Sequence, residues 1–349
     1  MAQNLGRRKA KKVAKPPKKL EDYVQTRPEQ LDLFELLAPA ERAYSNTVEL
    51  YDFIPKYVWG KQERVDGKFL DQLKREFECR GVNYQVRMSP AKIEGNDGQA
   101  RDHFPGKREE LVEDALRNLA TNGQALFLDD EASVTFTLYQ LQEELKKNGH
   151  SYSKDELKEA LMICAQTTID LRTADGMAVF VSSMFESLGL KTNKSTERNQ
   201  VKTRAFVRFN SLVTNSIKSG TFRRLNYERS MGFKSVMARQ LHKRMSHHYT
   251  QASITKPYTI LLTTMIRDFG LAKMKFLSQD LQKTLPAFDE LTQHEVILDF
   301  KLEKTFDNTK RGGLVEAKFI IIPHPKFVGE IVTANQKQAD VKTGLLLKH

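Results

Sequence analysis

At 349 residues, with 40% of them hydrophobic, the chain has room for two ordinary domains with buried cores plus tails. No apolar run approaches the ~18 residues of a membrane span, the basic start lacks the apolar core of a secretory signal, and two cysteines, Cys79 and Cys164, are too few for a disulfide framework or a zinc site. The two cysteines fit a reducing cytoplasm, and the net charge of +12, unevenly spread, points to a polyanion partner or to no more than a soluble basic surface.

Residues 1–20 carry eight Lys or Arg and no acid, and residues 1–29 hold almost nothing to bury, so a disordered basic arm is expected. Such an arm adds unspecific phosphate contacts or only solubility. Next comes Gln30-Leu31-Asp32-Leu33-Phe34, three large apolar residues in five positions. They read either as the first turn of a helix docking on the body, with Leu36 and Leu37, or as a linear peptide for a partner's apolar pocket. The pentapeptide matches at every position the Gln-Leu-Ser/Asp-Leu-Phe pattern by which bacterial proteins bind the replicative sliding clamp.

Asn46 to Tyr51 resembles a strand, Gly67 to Cys79 a helix with Phe69, Leu70, Leu73 and Phe77 on one face, and Asn83 to Met88 a strand. Trp59, the single tryptophan, reads as core or rim. Residues 107–122 give a helix with Leu111, Ala115, Leu116 and Leu119 in register, ended by Asn122-Gly123.

The chain from Ser133 to Ser182 organises the rest. Ser133 to Thr137 alternates as a strand, Leu138, Leu141 and Leu145 recur at helical spacing, and Asn148-Gly149 stops that helix. Ser153 and Glu156 form a capping box, after which Leu157, Ala160, Leu161 and Cys164 make an apolar stripe. Thr167 to Arg172 and Met177 to Ser182 flank an Asp175-Gly176 turn, a hairpin signal. Helix, turn, helix, hairpin is the order of a winged helix. Lys191 to Thr196 reads as a linker.

The second half repeats that order. Ala205 to Phe209 is a strand, Val236 to Tyr249 a basic amphipathic helix, and Tyr258 to Phe269 another. Lys275 to Leu291 is a third helix, which Pro286 is expected to kink or split. Val296 to Phe306 and Leu314 to Ile322 are strands around a loop carrying Lys310 and Arg311, and the polar tail after Val332 is expected to be disordered. The fold class is therefore α+β: a basic arm with the clamp-type peptide over residues 1–41, a first winged-helix domain with an N-terminal extension over 42–192, a second over 193–335, and a tail over 336–349.

Charge separates the two halves. Residues 107–170 carry seven basic and thirteen acidic side chains, whereas 191–260 carry fifteen basic and two acidic. In a winged helix the second helix enters the major groove and the wing touches the backbone. In the second domain Lys273, Lys275, Gln279, Gln282 and Lys283 lie on or near that helix's polar face, where Lys can read guanine and Gln adenine. Lys310 and Arg311 would hold phosphates at the wing, and Arg223, Arg224, Arg239, Lys243 and Arg244 are further phosphate candidates. In the first domain Lys154 and Lys158 sit among Asp155, Glu156 and Glu159, a poor sole reader of DNA, so the second domain is expected to dominate affinity and the first to self-associate.

Two winged helices in tandem, the basic second half and Gln30 to Phe34 together resemble the iteron-binding plasmid replication initiators, most of all the broad-host-range IncP kind. Met237 to His242 is similar to a stretch in that family. The resemblance implies binding to repeated origin sites in double-stranded DNA and opening of neighbouring AT-rich duplex, with contact to single-stranded DNA. It also implies recruitment of the host sliding clamp, initiator and replicative helicase, and a change between monomer and dimer, in a bacterial, plasmid-associated setting. Enzymatic readings fit poorly. His247-His248-Tyr249 lacks the spacer of a His-x-His metal pair and is read as DNA-facing or structural, and no phosphate-loop motif is present. Asp129-Asp130-Glu131 is either a Mg²⁺ ligand cluster or a solvated turn. No cofactor is expected. The competing reading is a transcriptional repressor or partition-type regulator, which has no need of a clamp peptide.

Overall fold

The computed structural model describes residues 44–60, 64–65, 68–69, 72–95, 97–191, 204–308 and 312–347. The basic arm, Gln30 to Phe34, and the wing-tip Lys310 and Arg311 lie outside the described residues. Strand β1 (Tyr44–Thr47) leads into helix α1 (Glu49–Phe53), followed by short strands β2 (Arg64–Val65) and β3 (Lys68–Phe69). Strands β4 (Leu73–Cys79), β5 (Val82–Ser89), β6 (Ala91–Glu94) and β7 (Ala100–His103) precede helix α2 (Lys107–Leu119). Where a strand was expected over Asn46 to Tyr51, the chain turns helical at Glu49. Where a helix was expected up to Cys79, Leu73–Cys79 is a strand. Its Phe77 and Cys79 alternate inward, and pairing with β5 matches Phe77 to Tyr84 and Arg75 to Val86. A four-residue apolar spacing satisfies both periods, and the available partner strand decides between them.

The first helix-turn-helix unit follows the expected order: β8 (Ala125–Leu128), β9 (Glu131–Thr137), α3 (Leu138–Lys147), α4 (Lys154–Gln166), then the hairpin β10 (Thr168–Thr173) and β11 (Val179–Ser183). Thr137 with Gln140 and Ser153 with Glu156 close capping boxes at the two helix starts. Asp129 and Asp130 both have positive φ, the backbone of a tight hairpin turn between β8 and β9. They are a turn held by ion pairs, Asp129 to Arg208 at 2.6 Å and Asp130 to Lys218 at 2.6 Å.

Strand β12 (Phe185–Lys191) pairs with β13 (Arg204–Phe209), and β13 pairs with β9, giving the sheet β12-β13-β9-β8. The first wing joins a different sheet, β11-β10-β5-β4, so the strand that precedes the helix-turn-helix is separated from its wing. At Gly189 a Cβ would meet the Phe206 ring at 2.1 Å, so only glycine lets these two strands cross closely. One core runs from Val48 to Met231 and includes Ala205, Val207 and Phe209 of β13, which the sequence groups with the second half.

After α5 (Ser211–Lys218), β14 (Arg223–Asn226) and α6 (Tyr227–Gly232), a second core begins at Phe233. It gathers α7 (Val236–His248), β15 (Tyr258–Leu261), α8 (Leu262–Asp268), α9 (Leu277–Gln293), β16 (Ile297–Phe306), β17 (Leu314–Pro323) and the start of α10 (Pro325–Leu347). Here the sheet order is β15-β17-β16, so the leading strand does join its wing. Tyr258 to Leu261 is therefore strand, not the first turn of a helix: three of the four residues are β-branched or aromatic, and they pair with Ile321 to Lys318. Helix α9 runs unsplit through Pro286, whose missing N–H falls on the exposed face.

The tail is helical as well. Pro325 starts α10 in the position proline favours, and Phe327, Ile331 and Ala334 are buried. Its polar second half is held by side chains: Asn335 and Gln338 accept from Arg223 at 2.8 and 3.1 Å, and Asn335 donates to the Thr250 carbonyl at 2.7 Å. Polarity there marks a contact with polar partners rather than disorder.

Candidate nucleic-acid interface

Helix α9 is amphipathic in the way a groove-reading helix requires. Leu281, Thr284, Ala287, Phe288 and Leu291 face the core, and Phe288 stacks on Phe319 of the wing strand with ring centroids 4.3 Å apart. The opposite face leaves Gln279, Gln282 and Lys283 exposed, and the loop before it leaves Lys273, Lys275 and Phe276 exposed. The loop is drawn onto the helix because the Asp280 carboxylate accepts from the Met274 N–H at 3.2 Å. Lys275 lies over the Phe276 ring, 5.4 Å from its centroid. Among the described residues none of Lys273, Lys275 and Lys283 is paired with a carboxylate. Two cations that sequence reasoning missed, Lys301 and Lys304, stand exposed on the wing strand β16.

The other cations of the second half are elsewhere. Arg239 is fully buried: its guanidinium reaches Glu110 at 2.6 Å and donates to the Phe233 and Ser230 carbonyls at 2.8 and 3.2 Å. Lys243, also buried, lies 2.7 Å from Asp114 and 3.1 Å from Glu110. Arg244 pairs with Asp268 at 2.7 Å, and Arg223 donates to the Ser246 carbonyl at 3.0 Å as well as to α10. All four, phosphate candidates by sequence, are buried and engaged within the protein. Arg239 and Lys243 join α7 to α2, while Arg244 and Arg223 brace α7 against α8 and α10. Arg224 is half-buried over the Tyr44 ring, 3.6 Å from its centroid.

The signal that would have found this network was in the sequence. Glu110 and Asp114 are four apart on one helix, Arg239 and Lys243 four apart on another, so each helix presents a two-charge face of opposite sign. Burial alone would raise the Glu110 pKa, but the Lys243 and Arg239 charges outweigh it and hold the carboxyl below its usual range. A second cluster sits beside it. Arg117 bridges Asp52 at 2.6 Å and Glu113 at 2.7 Å, and the Tyr57 hydroxyl donates to Glu113. His247 lies buried against Phe53, 3.7 Å from Asp52, and His248 lies 3.7 Å from Glu49, so of the two readings for this pair the structural one holds.

In the first unit Lys154 is exposed, while Lys158 pairs with Asp155 at 3.0 Å and Glu159 pairs with Arg108 at 2.7 Å. The outward face of α4 is therefore mixed and partly neutralised. Trp59 joins the halves directly, its indole N–H donating to the Phe269 carbonyl at 2.7 Å. No helix among the described residues is long and apolar enough to cross a membrane.

No family model matches the chain, and no curated protein matches it. Among solved structures the chain is similar to the crystal structure of domains 2-3 of RctB, at a TM-score of 0.47 and 8% identity, covering 81% of this chain and 99% of that one. It is similar to a second crystal structure of domains 2 and 3 of RctB at 0.45 and 10%, covering 72% and 91%. It is also similar to the Pi initiator protein in complex with iteron DNA at 0.40 and 12%, covering 62% and 90%.

Proposed function

We propose that the chain is a replication initiator of the iteron-binding kind, acting by sequence-specific binding to repeated duplex sites and without catalysis of its own. The observation that carries this reading is the exposed face of α9: Gln279, Gln282 and Lys283, with Lys273 and Lys275 ahead of them, stand exposed, and among the described residues no carboxylate pairs with the three lysines. Lys310 and Arg311 at the wing tip are phosphate contacts in this reading, joined by Lys301 and Lys304, while Lys154, Lys158 and Arg224 make weaker contacts. Opening of AT-rich duplex, recruitment of host initiator and helicase, and clamp binding through Gln30 to Phe34 complete the proposal, in a bacterial cytoplasm beside the plasmid. Self-association fits the edge strand β11, where Val179 and Val181 are 55% and 57% exposed on a sheet edge that no strand among the described residues covers, and Met177 beside the turn is 88% exposed.

The test is selection of bound duplexes from sheared DNA of the replicon that encodes the chain. Recovery of a tandem-repeat cluster beside an AT-rich segment supports the initiator, and clamp capture by the wild-type chain, lost in Leu33→Ala/Phe34→Ala, supports the peptide. A single palindrome over a promoter favours a repressor instead. No enrichment at moderate salt rejects both.

A further inference from the structure

A cavity of about 310 Å³ opens at the junction of the two halves, between strand β4 and the end of α8. Its walls include Arg75 and Glu76 from the first half and Thr263, Arg267, Gly270 and Lys273 from the second. Arg75 is the unusual member. Its Nη1 donates to the Pro55 and Tyr57 carbonyls, both at 2.6 Å, which fixes the guanidinium plane. Among the described residues no carboxylate pairs with it, and its Nε and Nη2 donors have no protein partner. Burial without a counter-charge pulls its pKa down to about 10, so the group is still cationic at neutral pH.

The neighbouring residue is shaped to this guanidinium. Gly270 has φ +64°, and a Cβ there would stand 2.5 Å from Arg75 Nη1 and 2.8 Å from its Cζ. Any other residue would push Arg75 out of the wall. The remaining charges are distributed around it. Arg267 is engaged by Asp268 and Glu78, Glu76 sits at the exposed rim with Gln85 as its hydrogen-bond donor, and Lys273 is exposed with no carboxylate partner among the described residues. Among the described residues, the cavity thus has a guanidinium held in place with no counter-charge in its wall and an exposed cation at its mouth. A half-buried guanidinium with no counter-charge beside it favours an anion there, and a guanidinium fork matches the oxygens of a phosphate.

We propose that this cleft seats a phosphate group, either of the DNA backbone or of a free polyphosphate, with Arg75 as its anchor and Lys273 as its rim cation. The backbone source rests on the DNA-binding reading above, because Lys273 leads into Lys275 and the exposed face of α9. The free source does not. Since the anchor comes from one half and the rim from the other, an occupied cleft favours the docked arrangement of the two. Trp59, bonded to Phe269 beside Gly270, stands next to the site and reports on it.

The test has two arms on the full chain. In the first, inorganic pyrophosphate is titrated without DNA, followed by calorimetry and Trp59 emission. Binding weakened by about tenfold or more in Arg75→Gln, the loss of one charged hydrogen-bonding group, and less in Lys273→Gln, supports the site. Lys273→Gln alters an exposed side chain and keeps the test decisive should Arg75→Gln fail to fold. In the second arm, single neutral methylphosphonate linkages are scanned through the bound duplex. A linkage that weakens the wild-type chain but not Arg75→Gln assigns the phosphate to the DNA backbone. Pyrophosphate binding with no such linkage assigns it to a free polyphosphate. Absence of pyrophosphate binding, together with linkages that weaken both proteins equally, overturns the proposal. If the chain selects no DNA, the function proposed above fails while the pyrophosphate arm still decides the site.

Discussion

The cations of the second half divide into two populations of opposite use. Arg239, Lys243, Arg244 and Arg223 are buried, and each is matched to a carboxylate, a carbonyl or an amide. Lys273, Lys275 and Lys283 are exposed and have no carboxylate partner among the described residues. Both populations raise the same net charge, but only the second is available to a polyanion. The acidity of the first half has the complementary explanation: Glu110, Asp114, Glu113 and Asp52 are buried partners of those cations and of Arg117. The charge asymmetry along the chain therefore records in part how the two halves hold each other, through Arg239 and Lys243 with Glu110 and Asp114.

The sharpest way to break this comparison is Arg239→Ala. It leaves Glu110 buried with less compensation and should cost about 3–5 kcal/mol, read as a lower denaturant midpoint and a red shift of Trp59 emission as Phe269 draws away. Were Arg239 instead a phosphate contact, stability would be unchanged and only DNA binding would fall.

On the exposed side, Lys275→Ala and Lys283→Ala should each cost about 1–3 kcal/mol of binding to the selected site, with melting temperature unchanged. Lys154→Ala/Lys158→Ala should cost under about 1 kcal/mol, because Asp155 already neutralises Lys158. A reversed ranking in a binding titration would move the main reading element to α4.

A smaller effect tests the interior of the second core. His242 is buried between Phe233 and Phe327, and among the described residues neither ring nitrogen has a hydrogen-bond partner. Burial, reinforced by Arg229 and Lys243, lowers its pKa from 6.5 to about 3. The unfolded chain then takes up the proton first, so stability is complete above pH 6.5 and declines as pH falls from 6.5 towards 3. The slope is at most about 1.4 kcal/mol per pH unit. His242→Phe should lessen the loss of urea-unfolding stability between pH 6.5 and 5, above the window near 4.5 in which Glu110 begins to lose its contribution. His248 and His150, also lowered by burial, still contribute to that loss.

Much of the plan was legible one element at a time. The capping box at Ser153, the spacing of Leu138, Leu141 and Leu145, the stripe from Leu157 to Cys164 and the Asp175-Gly176 turn are local signals, and each element they announce is present. The misreadings share one cause. Leu73–Cys79, Tyr258–Leu261 and the polar end of α10 take their structure from partners distant in sequence: β5, β17 and the Arg223 guanidinium. In the candidate site, the polar face of α9 follows from helical periodicity, whereas the cavity around Arg75 and Gly270 joins residues far apart in the chain with no local pattern to announce it.

The sequence by itself determined the helix-turn-helix and hairpin order of both units and the cations of α9, because caps, turns and amphipathic periods act over a few residues. Only the tertiary structure decided which charges face outward, which sheet each strand joins and where the two halves meet. Pairing partners and burial are set by distant segments, and a Lys or Arg looks the same in sequence whether a carboxylate or water receives it.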